Sequence, residues 1–509
     1  MKLFERRNDR KSRNDSRKLR LERLEHRELL SADGLGAIPA VADADPEAFV
    51  VDAVVDDPDD GLTSLREAIA QVGSAGAVIT FDQSVAGQTY TLTDNIAFEY
   101  AVKIDASSID GFTIDGDGKY GFRTTGAASR TYEYVDVTFS NCLQAIQLKN
   151  GTLNVTDCAF VDCVTGTTSN DVTYNGAAIG LGHSNSSNRA SVNATITNSS
   201  FDNCVSSKSN GGAIYYNASN SSSTTPETAK RLVISGSTFN DCTSSSSGGA
   251  IYVQSYQYKY VGPVVTISDG SSFTNCGSTC AKYGGAVYVV DGTLNISDAT
   301  FDGNGNVRLE GGAVCVSSTL NSNGGRGSYS CSISGNTTFK DNVANIGGAV
   351  FSYGKDGTIT IDGGENSTIL FQGNSCQMRG GAISVYEPSY SNTLQANVVN
   401  VTVDVDGVKF IGNNAGQYGG AIYFQNGDIS NCEFTENTSG YSGGAVVAMG
   451  LLPKNAPEGT PSNVTITDCS FDGNVADHTG GALLVGYAHD EMVYNTTVTL
   501  KGTVSFTDN

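Results

Sequence analysis

The chain has 509 residues, with 31 Lys and Arg against 53 Asp and Glu, a formal net charge of −22. That balance disfavours nucleic acid as a partner, because phosphate is repelled. No run of eighteen apolar residues occurs, so no transmembrane helix is expected. Gly is abundant at 60, Pro scarce at 9 and Trp absent, which suits many short strands joined by turns, and twelve Cys are too sparse for a disulfide scaffold.

In chain order, the first segment is basic. Residues 1–30 hold 11 Lys and Arg and 6 Asp and Glu, so the remainder is more acidic still, at −27. The segment lacks the apolar core of an ordinary secretory signal peptide and on its own reads as a solvated basic arm. Leu24-Glu25-His26-Arg27-Glu28-Leu29-Leu30-Ser31-Ala32 resembles the LEPR-XLL segment of large bacterial surface proteins, with His26 where that family has Pro. The resemblance implies a sorting signal over residues 1–32 and export of the chain. An Ala/Asp-rich linker follows over residues 33–48.

Folding is expected to begin at Phe49-Val50-Val51, before an acidic turn at Asp56–Gly61. Ser64 and Glu67 have capping-box spacing, and Leu65, Ala68, Ile69 and Val72 share one helical face, so a short amphipathic helix is predicted. Such a helix would cover the open apolar end of a solenoid. Val78–Phe81 and Tyr90–Leu92 read as strands. The stretch Ser64–Ile69 reads SLREAI and resembles the CSLREAI domain of bacterial surface proteins, with Thr63 in place of its Cys. Residues 49–135 are accordingly assigned to an N-terminal cap and first coils.

From residue 136 to 509 the chain is a repeat array. Phe followed three residues later by Cys or Asn occurs at Phe139, Phe160, Phe201, Phe239, Phe273, Phe301, Phe339, Phe371, Phe410, Phe434, Phe471 and Phe506. Gly-Gly-Ala followed by Ile, Val or Leu begins at Gly211, Gly248, Gly284, Gly311, Gly347, Gly380, Gly419, Gly443 and Gly480. From Phe to Gly-Gly the spacing is 8 to 11, and from Gly-Gly to the next Phe 15 to 30, so one side of each coil is fixed and the other carries loops. Segments such as Asn217–Thr225 and Leu451–Ser462 are expected to bulge outward. Apolar residues alternate before Phe (Leu294 and Ile296) and after Gly-Gly-Ala (Ile251 and Val253), the period of strands with one inward face. The predicted fold is all-β, a single-stranded right-handed parallel β-helix with a short capping helix.

Stacked coils lie about 4.8 Å apart, so equivalent side chains should form ladders. Phe is expected to form a buried aromatic column. The residue three after Phe is Cys in early copies (Cys142, Cys163, Cys204, Cys242, Cys276) and Asn in later ones (Asn304, Asn342, Asn374, Asn413, Asn437, Asn474, Asn509), so the two exchange at one structural site. Amide ladders suit Asn there, and buried thiol ladders or disulfides suit Cys. Gly-Gly is expected to supply positive φ and close approach of coils.

The paired marks resemble the repeats of the polymorphic outer membrane proteins, autotransporter-like adhesins with β-helix passengers. The resemblance covers residues 136–509 and implies an extracellular, outer-membrane-associated surface protein with no catalytic role and no cofactor. The array stops at Asn509 without that family's C-terminal barrel, so a truncated chain is expected, tethered to the outer membrane or cell wall through a missing C-terminal part or another anchor. The partner expected is a cell-surface glycan or protein.

Candidate chemistry is thin. Asp202, Asp302 and Asp472 follow a motif Phe and, with Asp341 and Glu436, read as turn residues. His26, His183, His478 and His489 lack zinc spacing, Cys276 and Cys280 form an isolated C-x-x-x-C pair, and Asp115-Gly116-Asp117-Gly118 reads as a tight turn, so no metal site and no catalytic residue are assigned. The fifth position of the Gly-Gly-Ala unit holds Tyr215, Tyr252, Tyr288, Phe351 and Tyr423. By alternation it should face outward, as a candidate aromatic binding stripe or simply as a strand-forming preference. The competing reading is a polysaccharide lyase or glycoside hydrolase, which would need convergent carboxylates with Arg or Lys on neighbouring coils.

Overall fold

The computed structural model describes residues 46–509 except 58, 127–128, 166–174, 183–191, 219–229, 256–261, 280–282, 319–327, 355–356, 365–366, 387–400, 450–461 and 487–495. The proposed sorting segment, most of the linker, both long loops, His183, His489 and Cys280 therefore lie outside the described residues in whole or in part. The described chain is a parallel β-helix. Three long sheets of 15, 13 and 14 strands run through it, with two shorter ones of four and five. The first long sheet already begins at Glu47–Val51, which pairs in parallel with Ala77–Phe81.

One coil shows the path. Arg231–Ser235 belongs to the 15-stranded sheet, Thr238–Asn240 to the 14-stranded sheet and Ile251–Gln254 to the 13-stranded sheet, with Thr243–Ser244 in a short one between. Each strand pairs with its equivalent one coil on, and the register places like on like: Phe201 against Phe239, Leu232 against Val265, Ile214 against Ile251. The Phe strands form the 14-stranded sheet and the Gly-Gly-Ala strands the 13-stranded one.

The inward residues fill one continuous core. Leu232, Ile234, Ile251 and Val253 are fully buried in it, as the alternation implied. The twelve Phe rings form one column from Phe139 to Phe506, with successive centroids 4.5–5.1 Å apart and planes within 13°. Removing such a ring from water contributes about 2–3 kcal/mol, more than the ~0.5–1.5 kcal/mol of ring-on-ring contact, so burial rather than stacking holds the column.

The first helix, α1 (Leu65–Ala70), has both halves of its capping box: Ser64 Oγ accepts from the Glu67 N–H at 3.2 Å and Glu67 Oε2 accepts from the Ser64 N–H at 2.8 Å. Leu65, Ala68 and Ile69 join the core of the coils. Arg66 ties the helix to what flanks it. Its Nε donates to Asp56 Oδ2 at 2.7 Å, and its terminal nitrogens donate to the carbonyls of Asn95 at 3.1 Å and Asp94 at 2.7 Å. Tyr90 Oη donates to the same Asp56 carboxylate. In SLREAI, then, Ser64 and Glu67 cap the helix, Arg66 clamps it, and Leu65, Ala68 and Ile69 anchor it in the core.

Candidate functional site

The residue three after Phe lines the coil interior. Each Asn Nδ2 donates both its hydrogens. Asn413 Nδ2 reaches the Phe371 carbonyl of the preceding coil and Asn437 Oδ1 of the next, each at 2.9 Å. Asn413 Oδ1 in turn accepts from the Asn374 backbone N–H at 3.1 Å and from Asn374 Nδ2 at 3.0 Å. Every amide between Asn304 and Asn474 is satisfied in this way without water. The cysteine stretch keeps one half of the pattern. The thiols of Cys204, Cys242 and Cys276 donate to the Phe carbonyl of the preceding coil at 3.5–3.7 Å. At the junction the Cys276 N–H donates to Asn304 Oδ1 at 2.9 Å. The eleven described cysteines are free and buried, so the thiol-ladder alternative holds for them.

The outward turn positions account for the acidic candidates. Asp341 and Glu436 have φ of 52° and 53° and belong to a column of left-handed residues two after Phe, with Asn141, Asp162, Asn203, Asp241 and Asn275. Asp and Asn tolerate this conformation because their short side chains bond locally. Asp202 accepts from Asn240 Nδ2 at 2.9 Å, and Asp302 lies 3.9 Å from Lys340. Asp115 caps the turn at Asp117, whose carboxylate pairs with Lys119 at 2.7 Å. These residues share neighbours along turns and do not converge on one point.

The two glycines of Gly-Gly do different work. The first has positive φ, 64° at Gly248, and a Cβ on it would lie 2.3 Å from the Ile251 carbonyl and 3.1 Å from the Tyr252 Cα. The second presses on the next coil: a Cβ on Gly249 would lie 2.1 Å from the Gly285 carbonyl. The first glycine lets the preceding segment fold back over the outer side of its own strand, and the second lets coils stack.

That fold-back corrects the expectation for the fifth position. Tyr215, Tyr252, Tyr288, Phe351 and Tyr423 do lie on the side of the strand away from the core, but they are not exposed. Phe351 and Tyr423 are fully buried, and the three other tyrosines are at most 9% exposed. With Cys315, Val290 and Ile346 most of them form a second apolar layer, and Tyr423 forms a third with Val447 and Met449. Their phenols are engaged as well: Tyr252 Oη donates to Gln254 Oε1 at 3.0 Å, Gln254 Nε2 donates to Tyr215 Oη, and Tyr288 Oη pairs with Ser317 Oγ at 2.8 Å. Alternation sets which side of a sheet a residue is on; the returning turn decides whether that side is wet.

The surface above this layer is built by residues just before Gly-Gly and at strand ends. Tyr283, Tyr353 and Met378 pack on the layer while remaining partly exposed. Tyr283 lies 5.9 Å from Tyr353 and 5.3 Å from Tyr288, ring to ring. Further along, Arg379 sits 5.2 Å over the Tyr423 ring, Tyr418 meets Tyr441 at 5.3 Å, and Tyr441 meets His478 at 4.4 Å. Backbone bridges join Tyr283 to Glu310 and Glu310 to Ile346 on consecutive coils. Burial lifts the Glu310 carboxyl above its ordinary range.

Residues 368–386 match the Chlamydia polymorphic membrane protein (Chlamydia_PMP) repeat, a segment that contains Phe371, Asn374 and Gly380-Gly381. No curated protein and no solved structure matches the chain.

Proposed function

We propose that this chain is an exported, non-catalytic surface protein that presents binding positions on the outer side of its Gly-Gly sheet, in the manner of autotransporter-like adhesins. The observation that carries the reading is the match of residues 368–386 to a polymorphic membrane protein repeat. Its landmarks recur in register along the coils, Phe339, Phe371 and Phe410 pairing directly. The basic segment at residues 1–32 is the candidate sorting signal, and the outer membrane or cell wall the candidate destination. No helix among the described residues is long and apolar enough to cross a membrane, which leaves attachment by other means open.

Antibodies raised against the folded chain should label intact cells of the producing organism, and external protease should remove the label. Labelling only after permeabilisation would overturn the surface reading. Incubation with pectins, alginates and sulfated glycans should release no unsaturated or reducing-end product; release of either would replace the non-catalytic reading with a polysaccharide-degrading one.

A further inference from the structure

Cys432 and Cys469 stand two residues before Phe on successive coils. The Ser470 N–H donates to the Cys432 carbonyl at 3.0 Å, and the strands that follow pair Glu433 with Ser470 and Phe434 with Phe471. The two cysteines are therefore register-matched neighbours, one strand spacing apart, about 4.8 Å. Both are free, both are buried in the core, and their thiols hydrogen-bond to one another. A disulfide needs Cα atoms roughly 4.4–6.8 Å apart and side chains that do not diverge, and this pair meets both conditions.

Packing alone does not call for a thiol here. Each sulfur donates to the carbonyl two residues back, Cys432 to Ser430 at 3.0 Å and Cys469 to Thr467 at 3.2 Å. Serine makes the same bond at the same register on earlier coils, Ser199 to Thr197 at 2.9 Å and Ser237 to Ser235 at 3.0 Å. What sulfur adds to serine is redox chemistry. The column from Cys142 to Cys276 is also in contact from coil to coil, but its inner members Cys163, Cys204 and Cys242 each have two cysteine neighbours. Cys432 and Cys469 have a single choice, since Val408 and Val504 hold their register on the coils before and after.

We propose that Cys432 and Cys469 are a modification site, oxidised to one disulfide that ties two successive coils together. The oxidant is a second disulfide, a class of reagent that suits an oxidising exterior, so the step takes its setting from the exported reading. A thiolate of the pair attacks one sulfur of that reagent and expels the first thiol. The partner thiolate then attacks the mixed disulfide and expels the second. Two protein thiols become one disulfide, one reagent disulfide becomes two thiols, and the two protons leave with them. The exchange takes place as the coils assemble or open, because the closed interior admits no reagent.

The test refolds the reduced full chain in a buffer of reduced and oxidised glutathione, then quenches with acid, alkylates the remaining thiols in urea and maps the peptides by mass spectrometry. A peptide pair joining Cys432 to Cys469 should form. Cys331 and Cys376 should be alkylated, because their register neighbours are Leu294 and Ile359, and Ala344 and Ala415. Hydrogen exchange in the coils of Phe434 and Phe471 should slow at least tenfold on oxidation, and reductant should reverse the change. Cys432→Ser and Cys469→Ser should each retain the sheet signal in circular dichroism and show no slowing. Both cysteines recovered as thiols, or each joined to a different cysteine, would overturn the proposal, and so would a link that leaves exchange unchanged. Failure here leaves the surface reading intact, while cells that label only after permeabilisation would end that reading without touching the link.

Discussion

Replacing Asn413 by Ala tests how the interior is held. The substitution removes four hydrogen bonds at once: two donated by Nδ2 to the Phe371 carbonyl and Asn437 Oδ1, and two accepted from Asn374. Shortening to Ala leaves the Asn374 N–H and one Asn374 amide hydrogen without an acceptor in a dry interior. A buried donor without a partner costs about 1–3 kcal/mol, so two cost about 2–6 kcal/mol before any cavity is counted. Asn413→Cys should fall between Ala and wild type. The thiol can donate to the Phe371 carbonyl as Cys242 does to that of Phe201, but it is a poor acceptor for Asn374. Asn414→Ala is the control. Its exposed amide donates to Thr438 Oγ1 at 2.7 Å, and losing that bond should cost less than about 1 kcal/mol.

Because each coil touches mainly its neighbours, the loss should be local. Hydrogen exchange read on peptides is therefore the assay, with urea denaturation for the total. Protection should fall in the coils of Asn374, Asn413 and Asn437 and persist in those of Phe201 and Phe239. If Asn413→Ala matches Asn414→Ala in both measurements, the amide ladder carries no stability and the account of the Asn mark fails.

Gly249→Ala should unfold its coil or prevent soluble expression, since the added Cβ meets the Gly285 carbonyl at 2.1 Å; Gly270→Ala, with φ +81° but nothing within 4 Å, should cost only the strain of about 1–2 kcal/mol, and thermal melts that rank the two alike would contradict the stacking role. Burial pushes the thiols of Cys158, Cys331 and Cys376 up to about 12, so none should react with iodoacetamide at pH 8 until the protein is unfolded in urea, and mass mapping of native label on any of the three would refute their burial. Burial raises the Asp56 carboxyl, but hydrogen bonds from Tyr90, Arg66 and Ser64 outweigh it and hold the group below its ordinary 3.8. A lowered folded-state value means that the cap is fully stabilised above about pH 4 and loses that support as pH falls through it. Exchange over residues 46–95 should then accelerate below pH 4 in the wild type, and Asp56→Asn should abolish the step; an unchanged step would exclude Asp56 as its source.

The Phe and Gly-Gly spacing made the coil path legible because each mark sits where a coil has little freedom: a ring in a column, a turn pressed on its neighbour. The capping helix was legible for the same reason, since Ser64 and Glu67 satisfy each other locally. A third mark lies between them. The residue two after Phe is Asn, Asp or Gly in every copy but Glu436, because the left-handed turn accepts little else. The fifth-position aromatics misled because burial on the outer side depends on how the segment before Gly-Gly returns over the strand, a tertiary contact that alternation does not encode. The contact between Tyr283 and Tyr353 was invisible for a related reason. Tyr283 and Tyr353 are far apart in the chain and meet only because stacking brings their coils to either side of the one that carries Glu310.

The same geometry says where such a repeat protein has freedom to change. At the fourth position of the Gly-Gly-Ala unit, three residues after the first glycine, the nine copies hold only Ile, Val or Leu, and at the mark three after Phe only Cys or Asn. Each departure there costs a cavity or an orphaned donor. The residue before Gly-Gly is held to no single type, although Ser247, Ile346 and Ser442 are buried there. It reads Asn210, Ser247, Tyr283, Glu310, Ile346, Arg379, Tyr418, Ser442 and Thr479, while its backbone still pairs from coil to coil over much of the array. A polar, aromatic, acidic, basic or aliphatic side chain is thus carried on a ladder whose spacing the interior fixes. Variation at the exposed positions of that column therefore changes the surface that the sheet presents without disturbing the coils beneath.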